Sequence, residues 1–198
     1  MAAQEPSARE RWNERRSAAG LEPFPDAPAP WLVEHAELLR RPGGGRALDV
    51  ACGDGRNAVA LARLGYEVDA FDVSDVAIEA LRAAAPQRAP AVRPRVVDLE
   101  REPLARGAYD VVAVFNYLQR DLFGGLEDAL RPGGWLLFET FGPAHLEELG
   151  KPINPAYVLA SGELLRAFPG LRVRHYREGV AERPGGPRGI ASLLAQRS

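Results

Sequence analysis

Cysteine is almost missing from this sequence: Cys52 is the only one in 198 residues. That excludes an internal disulfide framework and any all-cysteine zinc site. Three histidines without ligand spacing do not make a zinc site either, so no metal is expected. Lysine is reduced to Lys151, and the abundance of Arg, Ala, Pro and Gly reads as a coding bias rather than a functional signal. The net charge of −2 leaves no positive field to attract nucleic acid or an anionic membrane surface. Apolar runs are short: 111–115 and 135–138 fall far below the roughly 20 residues of a membrane helix. The opening residues Met1-Ala2-Ala3-Gln4-Glu5-Pro6 have neither the basic nor the apolar region of a secretory signal. The expectation is a soluble, cytoplasmic protein, monomer or homodimer, with 46% hydrophobic and 26% charged residues. Those are globular proportions, and the length suits one domain with a substantial core.

Along the chain, 7–19 is charged and helix-compatible, with Trp12 as its only large apolar side chain. Such a helix docks weakly, through Trp12, or orders when something binds beneath it. Pro23, Pro25, Pro28 and Pro30 then impose an extended connector. The division expected is a lid or extension over 1–30 and one domain over 31–198. Helical spacing over 31–39 is ended by Pro42 and three glycines. Strands are predicted at 46–51, 67–73, 93–97, 109–115 and 135–141. Helices alternate with them: 57–64, one capped by Ser74 with Ile78, Leu81 and Ala85 on one face, and 118–130, stopped by Pro132-Gly133-Gly134. This alternation argues for a doubly wound, mostly parallel α/β sheet with helices on both faces. A helix over 162–168 is followed by strands at 171–177 and 190–195. Only the turn Pro184-Gly185-Gly186-Pro187 joins those two strands, so they form an antiparallel C-terminal hairpin.

The segment Asp49-Val50-Ala51-Cys52-Gly53-Asp54-Gly55-Arg56-Asn57 lies where the first strand turns into its helix. Open α/β sheets bind ligands at that edge. Gly53 and Gly55 allow close backbone approach, and the helix start presents free N–H groups. Gly53-x-Gly55-x-x-Ala58 also fits the dinucleotide pattern, which keeps a nicotinamide-dependent oxidoreductase in view. Asp72 ends the second strand as a ribose-binding carboxylate should, and fits either cofactor. Asp98, followed by Leu99, ends the third and is placed to accept from an adenine amino group. Asp49 lies four residues before the first glycine. An acid there disfavours a pyrophosphate but tolerates the ammonium of a methionine moiety.

The set resembles the class I S-adenosylmethionine-dependent methyltransferases, and more closely the small bacterial group that includes the tellurite-resistance enzymes. The likeness is carried by Leu48 through Asn57, Asp72-Val73-Ser74, Asp98-Leu99, Tyr109-Asp110-Val111-Val112 and Leu130-Arg131-Pro132-Gly133-Gly134. It implies a seven-stranded sheet with an antiparallel last strand, S-adenosylmethionine as cofactor and S-adenosylhomocysteine as product. It also implies that Gly53 and Gly55 lie against the methionine part, with Asp49, Ala51, Cys52 and Asn57 among the cofactor-binding residues. Asp72 would hold the ribose, with Val73 also cofactor-binding; Asp98 and Leu99 would lie at the adenine, and Phe115 and Asn116 beside the sulfonium. Trp12-Asn13-Glu14-Arg15-Arg16 resembles the group's Trp-x-x-Arg-Tyr segment, with Arg16 where the tyrosine stands.

The acceptor expected is a small molecule: a thiol, a chalcogen oxyanion or a small metabolite. Glu139 and His145 are the catalytic candidates, although no essential base is expected. Trp12, Tyr117, Arg183 and Arg188 are substrate candidates, the arginines for an anionic acceptor. Cys52 reads better as a small residue in a tight turn than as a nucleophile. Asn154-Pro155-Ala156-Tyr157 reads better as a loop anchor than as a methyltransferase catalytic motif, which belongs after the fourth strand. A non-catalytic module that binds the same cofactor remains a further alternative.

Overall fold

Strands form where short, valine-rich apolar runs can be buried on both faces. The computed structural model describes residues 6–20, 22–23, 27–41, 43–183 and 185–198. Among them, seven strands make one sheet: β1 (Arg46–Val50), β2 (Glu67–Asp72), β3 (Val92–Val96), β4 (Tyr109–Phe115), β5 (Leu130–Phe141), β6 (Leu171–Ala181) and β7 (Arg188–Arg197). Their order is β3-β2-β1-β4-β5-β7-β6. The first five run parallel, and β7 is antiparallel to both β5 and β6. The expected seven-stranded doubly wound sheet with its C-terminal hairpin is borne out.

The period of two divides the core. Ala47, Val111, Ala113, Leu137 and Leu194 face one side, with Trp31, Leu39, Leu61 and Ile78. Leu48, Val50, Val112, Val114, Phe138 and Leu193 face the other, with Leu126, Leu164 and Phe168. Each fully buried Leu or Phe contributes about 1.5–3 kcal/mol. The covering helices are α1 (Ala8–Ala19), α2 (Pro30–Glu34), α3 (Ala36–Leu39), α4 (Arg56–Arg63), α5 (Asp75–Arg88), α6 (Phe123–Ala129), α7 (Ala144–Glu147) and α8 (Glu163–Ala167). Ser74 caps α5 as expected, its hydroxyl accepting from Ala77 N–H at 3.2 Å.

Three local expectations need correction. The helix over 31–39 is two short helices, because the backbone leaves helical geometry at His35. Pro132-Gly133-Gly134 is not a turn preceding the fifth strand. Leu130 already pairs with Tyr109, and the register shifts before Trp135 joins Val111, so these residues form an irregularity within β5. Helix α7 and the 3₁₀ turn at Pro155–Tyr157 were not expected. Parts of the proline connector, including Pro25, together with Pro42 and Pro184, lie outside the described residues.

Ionic chemistry near the amino ends of the strands is structural. Asp110 accepts from Arg41 at 2.8 Å, Arg131 at 2.9 Å and the Arg46 backbone at 2.8 Å. Asp69 accepts from Arg46 at 2.7 Å and from the Tyr109 hydroxyl at 3.0 Å. These paired carboxylates brace one edge of the sheet and leave the opposite edge for ligands.

Candidate functional site

The carboxyl ends of β1 and β4 carry the two non-glycine residues with left-handed backbone among the described residues, Ala51 at φ 53° and Asn116 at φ 54°. Such conformations are costly for residues with a Cβ and concentrate where a chain must serve a ligand. Between β1 and α4, Gly53 and Gly55 are also left-handed, at φ 56° and 78°. The loop is fixed at both ends: Cys52 N–H donates to Phe71 O at 2.9 Å, and Gly55 N–H to Cys52 O at 2.9 Å.

Asp72 is the pivot of this loop. One of its oxygens accepts from Gly53 N–H and the other from Ser74 N–H, both at 2.9 Å. Each oxygen retains a lone pair, so the carboxylate can hold the glycine turn and still accept from two hydroxyl groups. Val73 beside it is half-buried. Leu99 is buried beyond β3, and Asp98 lies two residues past the strand, accepting from Glu100 N–H at 3.1 Å. Gln119 donates to Leu99 O at 3.1 Å and accepts from the Tyr117 hydroxyl. Burial raises the Tyr117 phenol, with help from Glu100, Asp72 and Asp98, so it stays protonated.

Asp49 is 1% exposed, and its Oδ2 has no hydrogen-bond partner among the described residues. Burial pushes its carboxyl up to about 8. The negative charge of Asp54 adds to that, and the Ala58 backbone N–H opposes it. Buried next to the glycine loop, this carboxyl rests protonated near neutral pH, and a cation at Oδ2 would favour its ionised form. Cys52 is buried too, and burial with Asp49 and Asp72 drives its thiol up, away from nucleophilic use. Asn57 has a structural task here: its Oδ1 accepts from Ala29 N–H at 2.8 Å, tying the connector to α4.

At the end of β5, Glu139 is fully engaged. Arg183 reaches it through Nη2 at 2.8 Å and Nε at 3.2 Å, and the Ser192 hydroxyl donates at 2.7 Å. Arg177 stands 3.6 Å away, bridging to Glu34 at 3.1 Å over the Trp31 ring. His145 Nδ1 accepts from Gly189 N–H at 3.3 Å, which makes Nε2 the protonated nitrogen. Burial, followed by Lys151 and Arg188, lowers its pKa. His145 is therefore a neutral donor rather than a poised base, and Glu139 is a tether for Arg183. Phe115 is buried, with Asn116 exposed beside it and donating its N–H to Glu139 O at 2.9 Å. Arg188 lies 5.9 Å from the Phe141 ring.

Helix α1 does not dock through Trp12, which is exposed and approached by Arg15 and Arg16 of its own helix. It reaches the site through polar side chains instead. The Ser74 hydroxyl donates to Asn13 at 2.8 Å, and Arg9 pairs with Asp75 at 3.5 Å. The sequence reading missed Asn13, Gln119 and Arg120. Arg120 pins the loop before α8 through Glu163, Ala156 O and Val158 O. Among the described residues, no three His, Cys, Asp or Glu side chains gather to hold a metal, and no helix is long and apolar enough to cross a membrane.

Residues 47–134 match the family model described as a methyltransferase domain. A ubiquinone biosynthesis O-methyltransferase from Burkholderia orbicola is 31% identical over 119 residues, covering 56% of this chain and 48% of that protein. The chain thus spans about half the length of the curated relatives it matches. Among solved structures, TehB from Haemophilus influenzae aligns over 94% of this chain and 67% of its own, with TM-score 0.71 and 18% identity. The [4+2]-cyclase SpnF aligns over 97% and 96%, with TM-score 0.68 and 18% identity. The last likeness shows that this fold also hosts other chemistry, so the reaction must be argued from the site.

Proposed function

We propose, from the match of residues 47–134 to a methyltransferase domain, that this chain is a class I S-adenosylmethionine-dependent methyltransferase that binds S-adenosylmethionine and methylates a small-molecule acceptor. Asp49 carries this reading. Its buried Oδ2, without a hydrogen-bond partner among the described residues, can receive a donor at the glycine loop, and the ammonium of a methionine moiety supplies one. A dinucleotide pyrophosphate would set negative charge against that carboxyl, which disfavours the nicotinamide reading.

The other residues fit the same ligand. Asp72 offers its remaining lone pairs to ribose hydroxyls, the left-handed glycines allow close approach, and Leu99 gives an apolar wall for adenine. Bound there, the cofactor supplies an electrophilic methyl group on a sulfonium sulfur. The protein's part is to exclude water and to align an incoming nucleophile. Phe115 and Tyr117, at the end of β4 and just beyond it, offer π faces suited to positive charge. With Glu139 tied to Arg183 and His145 held as a neutral donor, the acceptor enters already nucleophilic: a thiolate, an oxyanion or a low-pKa metabolite. Residues 1–30 serve as a lid over the loop, through the described part of α1.

The test is turnover with methyl-labelled S-adenosylmethionine on a panel of thiols, chalcogen oxyanions and acidic metabolites. Label transfer to one class is the expected result. Tight cofactor binding without transfer to any of them would favour a sensor.

A further inference from the structure

Arg9, Asn13 and Arg16 are four and three residues apart, so they share one face of α1. Arg9 and Asn13 are accounted for by Asp75 and Ser74, two contacts that dock the helix on the start of α5. Arg16 is different. Its guanidinium lies over the glycine loop, so close that a Cβ on Gly53 would collide with its Nη2. It has no carboxylate partner among the described residues, only the Trp12 ring 5.9 Å away. At Cys52 its charge acts against those of Asp49, Asp72 and Asp54. A side chain that could reach solvent is instead held over the loop without an ion pair.

We propose that Arg16 receives the α-carboxylate of the cofactor's methionine moiety, while Asp49, whose Oδ2 has no hydrogen-bond partner among the described residues, receives its ammonium. The inference rests on reading the loop as an S-adenosylmethionine site. The two charges of an amino acid sit on one carbon, so a site for it needs an acceptor and a cationic donor side by side. The glycine loop has Asp49 in the adjoining strand and Arg16 above Gly53. A guanidinium fork can give a carboxylate two parallel hydrogen bonds, whereas a tyrosine at this position would offer one and no charge. The sequence has Arg16 where the Trp-x-x-Arg-Tyr pattern it resembles has tyrosine. Such a clamp also couples recognition to α1: a ligand with the carboxylate fastens the helix, and one without it does not.

Calorimetry on the full chain separates this role from mere docking. The ligands are S-adenosylhomocysteine and 5′-methylthioadenosine, which keeps the adenosine and sulfur but lacks the amino acid. Arg16→Gln should weaken S-adenosylhomocysteine by roughly tenfold to a hundredfold, leave methylthioadenosine unchanged, and be partly rescued in Arg16→Lys. Equal losses for both ligands would mean that Arg16 only docks α1. Unchanged S-adenosylhomocysteine affinity would mean that it touches no carboxylate. Either result overturns the proposal. A wild-type protein that binds neither ligand would instead overturn the reading of the site itself.

Discussion

If Asp49 waits for an ammonium, cofactor binding must release a proton. A carboxyl titrating near 8 is about nine-tenths protonated at pH 7, and it must ionise to pair with a cation. S-adenosylhomocysteine should therefore release close to one proton per site at pH 6–7, falling to roughly 0.1 at pH 9. The same group sets a pH dependence in the free protein. Its folded pKa lies above the model value of 3.8 for the open chain, so between about 4 and 8 the folded state holds a proton that the unfolded state has lost. Stability then falls as pH rises through that window and levels off above it. A pKa difference of about 4 corresponds to on the order of 5–6 kcal/mol, a ceiling that relaxation and water penetration will lower. Asp49→Asn should flatten this slope, raise stability near pH 8, weaken S-adenosylhomocysteine by about 1.5–3 kcal/mol and abolish proton release. Calorimetry in two buffers of different ionisation enthalpy counts the protons, and urea unfolding at pH 5 to 8 gives the slope. Equal proton counts in wild type and variant would refute the reasoning.

The other predictions concern neighbouring groups. Asp72→Ala should weaken S-adenosylhomocysteine by about 1.5–3 kcal/mol and also cost about 1 kcal/mol of stability, because Gly53 and Ser74 lose their acceptor; calorimetry and denaturant midpoints read the two effects. Glu139→Gln leaves the nearly buried Arg183 unneutralised and should destabilise by about 3 kcal/mol, with part of the loss recovered in the double variant with Arg183→Met. His145→Ala should lower turnover by about tenfold or less, and a thousandfold loss with intact cofactor affinity would make it an acid–base catalyst. Hydrogen exchange in 6–20 should slow when S-adenosylhomocysteine is added, and no change would make α1 an inert extension.

Local signals made most of the fold legible. The apolar run 111–115 of β4, the Ser74 cap and Gly65 just after α4 each write their element within a few residues. Asp72 was legible as a strand-end acid because it closes an apolar run. What the sequence hid depends on distant partners. Pro132-Gly133-Gly134 looks like a turn until Tyr109 is found opposite Leu130. Glu139 looks like a free acid until the β6–β7 hairpin brings Arg183 back to it. Asn57 sits in the loop motif, but its partner Ala29 comes from the connector. The 9/13/16 stripe of α1 was readable at helical spacing, yet with no apolar face it pointed to no partner.

The central claim is that the carboxyl edge of β1 and β2 holds S-adenosylmethionine and not a dinucleotide. Calorimetric titration of the full chain with S-adenosylhomocysteine and with NAD, on wild type and Asp49→Asn, tests it most directly. The account predicts one saturable site for S-adenosylhomocysteine, weakened in the variant, and no site for NAD. Binding of NAD by the wild type, with none of S-adenosylhomocysteine, would contradict it.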